Sequence, residues 1–183
     1  MAPAGQVTAS ALQAMLTDAA LAGSWTLDAS RSAIGLQSKS MWGMVPVKGT
    51  FREVAGTGTV SPEGQVSGTV TVAAASVDTK NAKRDDHLRS AEFFDSGTHP
   101  GIIFRVDGIT PSPRGVTVVG ALTVRGRTQP LTFDAQVSAL DHDEVSLDAE
   151  IGVNRADFGL TWSPMRMASM NNTITIHAVL TRG

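Results

Sequence analysis

Arg84, Asp85 and His87 stand close together on one short segment, and these residue types together support two interpretations. In the first, they meet a polar head group of a ligand, because the forked N–H donors of arginine suit phosphate. In the second, they are structural: Asp85 caps or bridges, and His87 fixes the segment against the rest of the fold. Arg155 and Asp157 raise the same question, with an internal ion pair favoured over a ligand contact.

Motifs for catalysis or metal binding are lacking. The chain has no cysteine, which removes disulfides, thiolate catalysis and sulfur-rich zinc sites. There is no Gly-x-Ser-x-Gly motif, and the pair Gly56 and Gly58 lacks the third glycine of a dinucleotide fingerprint. The four histidines lack a His-x-x-x-His spacing. We therefore expect no catalytic residue, no metal and no cofactor, while an enzyme that uses Asp85 and His87 stays open as an alternative.

The composition of the chain limits the classes of partner that we expect it to bind. The 183 residues carry a net charge of −2, so no basic surplus points to nucleic acid or an anionic membrane. No window approaches the length of a membrane-spanning helix. Residues 1–30 have no lysine or arginine and no continuous apolar core of a secretory signal, which predicts a cytoplasmic protein.

The elements that must position these residues are strands. Apolar and polar residues alternate with a period of two in eight runs: 32–40, 45–52, 66–72, 102–106, 116–124, 131–137, 145–153 and 174–180. Such alternation is typical of antiparallel strands with one apolar face and one wet face. Eight strands joined mostly by short turns predict a sandwich or an up-and-down barrel.

Two helical segments interrupt this pattern. Residues 8–22 predict a helix capped by Thr8 or Ser10 and closed by Gly23. It is expected to pack on the barrel, to plug or cover an opening, or to form a dimer contact. The long irregular segment 73–100 predicts a short helix through Leu88, capped by Ser76 or Asp78, and connections of this length are often functional.

The residues of that irregular segment carry a family resemblance. The motifs are Arg84-Asp85-Asp86-His87-Leu88, Phe93-Phe94-Asp95, His99-Pro100, Trp25-Thr26-Leu27-Asp28, Val47-Lys48-Gly49-Thr50-Phe51, Gly120-Ala121-Leu122-Thr123 and Arg155-Ala156-Asp157-Phe158-Gly159-Leu160. Over about residues 24–182 the chain resembles the YceI-like, polyisoprenoid-binding family. The resemblance implies an all-β, extended, eight-stranded antiparallel lipocalin-like β-barrel whose apolar interior holds a long isoprenoid chain. Many members of that family are periplasmic, whereas this sequence predicts the cytoplasm.

The domain boundaries follow: residues 1–23 form an N-terminal helical extension and residues 24–183 the barrel. Gly49, Gly68 and Gly120 lie on the apolar side of their strands, where they either leave room for a ligand or ease the curvature. The residues expected to line the interior are Ile34, Leu36, Trp42, Met44, Phe51, Val70, Phe94, Phe104, Leu122, Phe133, Phe158, Trp162 and Met167. The head-group candidates are Arg84, Asp85, His87 and Arg155.

The function expected from these features is to carry or sense an isoprenoid lipid, either a prenyl diphosphate or an isoprenoid quinone. The lipid is the expected ligand and partner, and a homodimer is a further option. Two alternatives stay open: a lipid-modifying hydrolase or isomerase, and a barrel with a filled core that serves only in interactions.

Overall fold

The described part of the chain folds into two α-helices, two short 3-10 turns and eleven strands. The structure is a computed structural model and describes residues 7–40, 44–163, 165 and 168–183. The helices are α1 (Ala9–Thr17) and α2 (Ala82–Arg89). The strands are β1 (Gly23–Leu27), β2 (Ala33–Ser40), β3 (Val45–Phe51), β4 (Val54–Val60), β5 (Val66–Ala73), β6 (Val77–Asp78), β7 (Gly101–Ser112), β8 (Gly115–Val124), β9 (Arg127–Leu140), β10 (Glu144–Asn154) and β11 (Asn171–Arg182). No helix in the described part of the chain is long and apolar enough to cross a membrane.

Eight of these strands close a barrel. Neighbours follow the order β1, β4, β5, β7, β8, β9, β10 and β11, and β11 pairs again with β1. Every pairing is antiparallel. The expected eight-stranded antiparallel barrel is therefore confirmed.

The remaining strands, β2, β3 and β6, extend the wall beyond β1, β4 and β5. β11 pairs with β1 at residues 180–182 and with β2 at residues 173–177. β3 then pairs with both β2 and β6. The eight runs predicted from the alternation correspond to β2, β3, β5 and β7–β11, and the three strands that the alternation missed are β1, β4 and β6.

A tight turn separates β1 from β2. The Asp28 carboxylate accepts hydrogen bonds from the backbone N–H and hydroxyl of Ser30 and from the Arg31 side chain. These hydrogen bonds, first that of the Ser30 hydroxyl and then that of Arg31, lower the pKa of Asp28 to about 2. The Asp28 carboxylate therefore keeps its charge, and its role as acceptor in the turn, to a lower pH than an ordinary aspartate does.

Helix α1 is shorter than the sequence predicts. Thr8 caps its start as expected, through its hydroxyl oxygen. It ends at Thr17 rather than at residue 22, because Ala19 takes a left-handed φ of 57° and the following N–H donates to the carbonyl of Met15. Gly23 begins β1 instead of closing the helix.

Helix α2 has a different cap from the two proposed. The Asn81 side chain accepts from the N–H of Arg84 and starts the helix. Asp78 instead binds Arg52 and Lys80, and the Ser76 hydroxyl donates to the carbonyl of Ala73. Both predicted caps are therefore wrong, because partners outside the helix engage them.

The core has one cluster at each end of the barrel. The first packs Leu12, Leu16 and Leu21, from α1 and the segment after it, against Trp25, Val116, Val118, Ala135 and Val137. The second packs Phe94, from the segment after α2, against Ala74, Leu122, Val124, Phe158 and Leu160. Helix α1 thus covers one end of the barrel, and the segment between β6 and β7 covers the other.

Candidate functional site

The barrel interior holds an elongated apolar cavity of about 310 Å³. All the strands except β6 contribute lining residues, and so do α1 and the segments after both helices. The volume lies at the lower edge of the range for ligand pockets, roughly 300–1,000 Å³. The interior side chains therefore leave an open space along the barrel. This differs from the alternative considered from the sequence, in which side chains fill the core.

Most of the residues expected to line the interior do border this cavity. They are Ile34, Leu36, Phe51, Val70, Phe94, Phe104, Leu122, Phe133 and Phe158. All except Phe94 and Phe158 lie on strands, where alternate side chains point to the same face. The period-two pattern thus predicted which way the strand residues face.

The exceptions come from the loops beyond the strand ends. Met44 is 75% exposed, and Trp162 is 40% exposed with its ring 4.1 Å from that of His87. Neither lines the cavity, so this part of the prediction is corrected: strand alternation does not govern loop residues. Trp42 and Met167 lie outside the described residues.

The inward glycines have different surroundings. Gly68 borders the cavity, yet an added Cβ there would lie 2.7 Å from the carbonyl oxygen of Thr57. Gly49 and Gly120 do not border the cavity, and added Cβ atoms would lie 2.9 Å from the Thr79 side chain and 2.1 Å from the Arg105 carbonyl oxygen. Close approach explains all three glycines, and Gly68 leaves room as well.

One buried cation lies at the end of the cavity. Arg155 is 5% exposed and lines the cavity. Its Nε, Nη1 and Nη2 donate to the carbonyls of Ser169, Leu160 and Ala168 at 2.9, 2.6 and 3.4 Å. Burial lowers its pKa from the ordinary arginine value. Arg155 therefore holds the connection between β10 and β11 and also borders the cavity.

No carboxylate in the described part of the chain lies within ion-pair distance of Arg155. The favoured ion pair with Asp157 is wrong, because Asp157 is exposed while Arg155 is buried. A guanidinium has five N–H groups, and three are donated to backbone carbonyls. Two N–H groups are thus left without an acceptor among the described residues.

Two neighbours complete this end of the cavity. Asn172 is buried, lines the cavity and donates to the carbonyl of Met170 at 3.2 Å. The Phe93 ring lies 5.5 Å from the Arg155 guanidinium carbon. We call Arg155 and Asn172 the polar end of the cavity, since the other residues that line it with inward-facing side chains are apolar.

The sequence interpretation missed some lining residues. Asn172 continues the alternation of Ile174 and Ile176 by one step, so the period-two pattern carried a signal for it. Leu12 and Leu16 also line the cavity. They lie four residues apart on one face of α1, but nothing in the sequence says where that helix packs.

The charged residues near α2 have partners of their own. Asp85 is buried and accepts from the Thr79 N–H at 2.9 Å and from its hydroxyl at 2.6 Å. Arg84 donates to the hydroxyl and carbonyl of the same Thr79. Neither residue lines the cavity. These contacts join the start of α2 to the chain that follows β6.

His87 lies apart from this group. Its Nε2 is 2.7 Å from a carboxylate oxygen of Glu92, and it does not line the cavity. Residues two positions apart on a helix do not face each other, so Asp85 and His87 point in different directions. Asp85 and His87 therefore do not meet in one site, as the alternative of an enzyme that uses both residues would require.

We expect Asp85→Ala to lower the free energy of unfolding by about 2–4 kcal/mol. Two hydrogen bonds to a charged acceptor are lost, and the buried Thr79 N–H loses its partner. Thermal denaturation measures the change, with Asp86→Ala as the matched control, since Asp86 is exposed and forms a surface ion pair with Arg89. Equal melting temperatures for the two variants would contradict the structural role of Asp85.

The comparisons with known proteins agree with this architecture. The family model described as YceI-like domain matches residues 25–181 of the chain. The chain belongs to the YceI-like family. The resemblance seen in the sequence motifs is thereby confirmed.

Curated relatives of this YceI-like protein include a UPF0312 protein of Staphylococcus aureus (strain MRSA252), 30% identical over 147 residues, covering 76% of this chain and 83% of the relative. A UPF0312 protein of Serratia proteamaculans (strain 568) is 37% identical over 97 residues, or 50% of each chain.

Among solved structures, BcnA of Burkholderia cenocepacia has a TM-score of 0.75 at 23% identity, covering 84% of this chain and 98% of its own. A polyisoprenoid binding domain from Saccharophagus degradans, described as implicated in plant cell wall breakdown, has a TM-score of 0.72 at 15% identity, covering 87% and 98%. At these identities the likeness establishes the fold.

Proposed function

We propose that this YceI-like barrel binds a long-chain isoprenoid lipid, with the tail in the cavity and the head group at the polar end. The observation that carries the proposal is an apolar cavity bordered at its end by the buried Arg155, which pairs with no carboxylate among the described residues. A hydrocarbon tail needs no polar partner, whereas a head group does. The similar domain from Saccharophagus degradans, described as polyisoprenoid-binding, adds support by analogy.

Two head groups suit the polar end. A prenyl diphosphate would offset the charge of Arg155, and the carbonyl oxygens of an isoprenoid quinone would accept the two Arg155 N–H groups for which the described residues offer no acceptor. Both leave the tail in the same place. Within this proposal the protein carries or senses the lipid rather than transforming it. The cytoplasmic location and the homodimer stay predictions.

The first experiment identifies the ligand. Mass spectrometry of an organic extract of the natively purified protein should detect an isoprenoid. Titration with quinones and prenyl diphosphates of increasing tail length should show saturable binding that strengthens with each unit, because each adds buried hydrocarbon. Recovery of the lipid unchanged would separate binding from turnover. A one-unit analogue that bound as tightly as a long one would contradict the proposal.

The second experiment obstructs the cavity. Ala149 lines it at the middle of β10, opposite Ile176, so Ala149→Phe should project a ring into the tail's path. The ring would displace a part of the lipid tail about as large as a phenylalanine side chain. Loss of that burial costs about 1.5–3 kcal/mol of binding free energy, so we expect affinity for the lipid to fall roughly tenfold to 150-fold. Ala55→Phe is the matched control, because Ala55 is exposed on the outer face of β4. Isothermal titration calorimetry measures both variants, and unchanged binding by Ala149→Phe would place the tail elsewhere.

A further inference from the structure

Helix α1 contributes directly to the cavity at the end away from Arg155. Leu12 and Leu16 are buried and border the cavity, and both pack in the cluster that contains Trp25, Val116 and Val137. Spaced four residues apart, they present one face of the helix to the interior. We call Leu12 and Leu16 the floor residues.

The distance between the floor residues and the polar end follows from β11. Asn172 belongs to the polar end, and Leu180 packs against the cluster that holds the floor residues. Eight residues of antiparallel strand span about 27 Å, and a barrel tilt near 40° reduces this to roughly 20 Å along the axis. The cavity is therefore bounded at both ends over a defined length.

Close contacts hold the C-terminal end of α1 in place. Gly64, in the turn between β4 and β5, approaches so closely that an added Cβ would lie 3.0 Å from the Leu16 carbonyl oxygen. Arg182 donates to the carbonyls of Ala20 and Ala22, just after the helix, and lies 5.1 Å from the Trp25 ring. The C-terminal end of α1 and the residues that follow it are thus attached to the barrel wall.

The floor residues also lie outside the part of the chain that the family model matches, which is residues 25–181. The barrel and the polar end belong to the matched region, whereas at the other end the cavity is bordered by α1 as well as by barrel residues such as Trp25. Part of this boundary therefore comes from a segment outside the matched region.

We propose that α1 sets the longest isoprenoid tail that this protein accepts, with Leu12 and Leu16 as the limit. This inference rests on the proposed function. An extended peptide residue has three backbone bonds and advances about 3.4 Å, so the four backbone bonds of a prenyl unit advance roughly 4.5 Å. A distance of roughly 20 Å then holds about four to five units. Affinity rises with tail length to this limit and falls beyond it.

The test is a tail-length series at constant head group, measured on the full chain by calorimetry. Leu12→Ala combined with Leu16→Ala removes six side-chain carbons, close to the five of one prenyl unit. The double variant should move the optimum one unit longer and raise affinity for that tail roughly tenfold or more. Leu16→Trp should move the optimum one unit shorter. Gln13→Ala, on the exposed side of α1, should leave the optimum unchanged.

Several results would overturn the inference while the proposed function stands. An unchanged optimum in both the double variant and Leu16→Trp would show that the floor residues do not limit the tail. Equal affinity of the wild type for all longer tails would show that the tail leaves the barrel, for which a groove beside Val60, Val66 and Ile109 offers a route. If the double variant fails to fold, Leu16→Trp alone decides. A wild type that binds no isoprenoid of any length would overturn the proposed function and this inference together.

Discussion

Arg155→Met is expected to weaken binding of a prenyl diphosphate roughly tenfold to 150-fold, the equivalent of about 1.5–3 kcal/mol for hydrogen bonds to a charged group. A quinone with the same tail should lose less, up to about tenfold, because only neutral acceptors lose their donors. The same change should lower the free energy of unfolding by about 2–4 kcal/mol, since three carbonyls between residues 160 and 169 lose their donor. Removal of the buried Arg155 charge also removes its desolvation cost, which offsets part of this loss of stability.

The matched control is Arg84→Met. Arg84 lies near the same end of the barrel and also donates to the backbone, at Thr79, but does not line the cavity. It should lower the melting temperature without discriminating between the two head groups. Calorimetric titration of both lipids and thermal denaturation separate the roles. Equal loss of diphosphate and quinone affinity in both variants would remove Arg155 from the proposed head-group site.

Gly120→Ala is expected to destabilise the barrel by about 3 kcal/mol or more, which lowers the melting temperature by roughly 6–12 °C for a chain of this size. The added methyl would lie 2.1 Å from the Arg105 carbonyl oxygen and 2.7 Å from the Phe104 ring. The backbone of β7 cannot withdraw without loss of its pairing with β8, where Val106 faces Gly120. The single methyl therefore disturbs the closure of the wall.

Gly152→Ala provides the contrast within another strand. Nothing lies within 4 Å of an added Cβ at Gly152, and its position on β10 is exposed. Alanine restricts the unfolded chain more than glycine does, so stability should stay equal or rise by about 0.5–1 kcal/mol. Denaturant titration of both variants measures the difference. Similar stabilities for Gly120→Ala and Gly152→Ala would contradict the close approach of β7 and β8.

The sequence by itself determined the barrel and the inward face of its regular strands. The alternation around Phe104, Leu122 and Phe133 predicted lining residues correctly, because side-chain direction in a strand depends only on local backbone geometry. Local chemistry likewise offered Thr8 as one of two candidate caps, and Thr8 is the residue that caps α1. The motifs of the segment between β6 and β7 were sufficient to recognise the family.

The alternation of apolar and polar residues did not reveal the irregular strands. β4 places Gly56 and Gly58 on its inward face, so no apolar alternation marks it in the sequence. β7 continues past Val106 to Ser112, but a bulge between Val106 and Gly108 shifts the phase so that Ile109 faces inward again. A period-two pattern detects neither a strand whose inward residues lack side chains nor one whose register changes midway.

Only the tertiary structure decided which polar groups meet the cavity. Arg84, Asp85 and Arg155 were equivalent candidates in the sequence, yet Thr79 engages the first two, and Arg155 alone lines the cavity. The placement of Leu12 beneath the barrel was equally hidden. Both outcomes depend on contacts between residues far apart in the chain, and such contacts arise from how the closed sheet and its two covering segments fill space together, which no local pattern encodes.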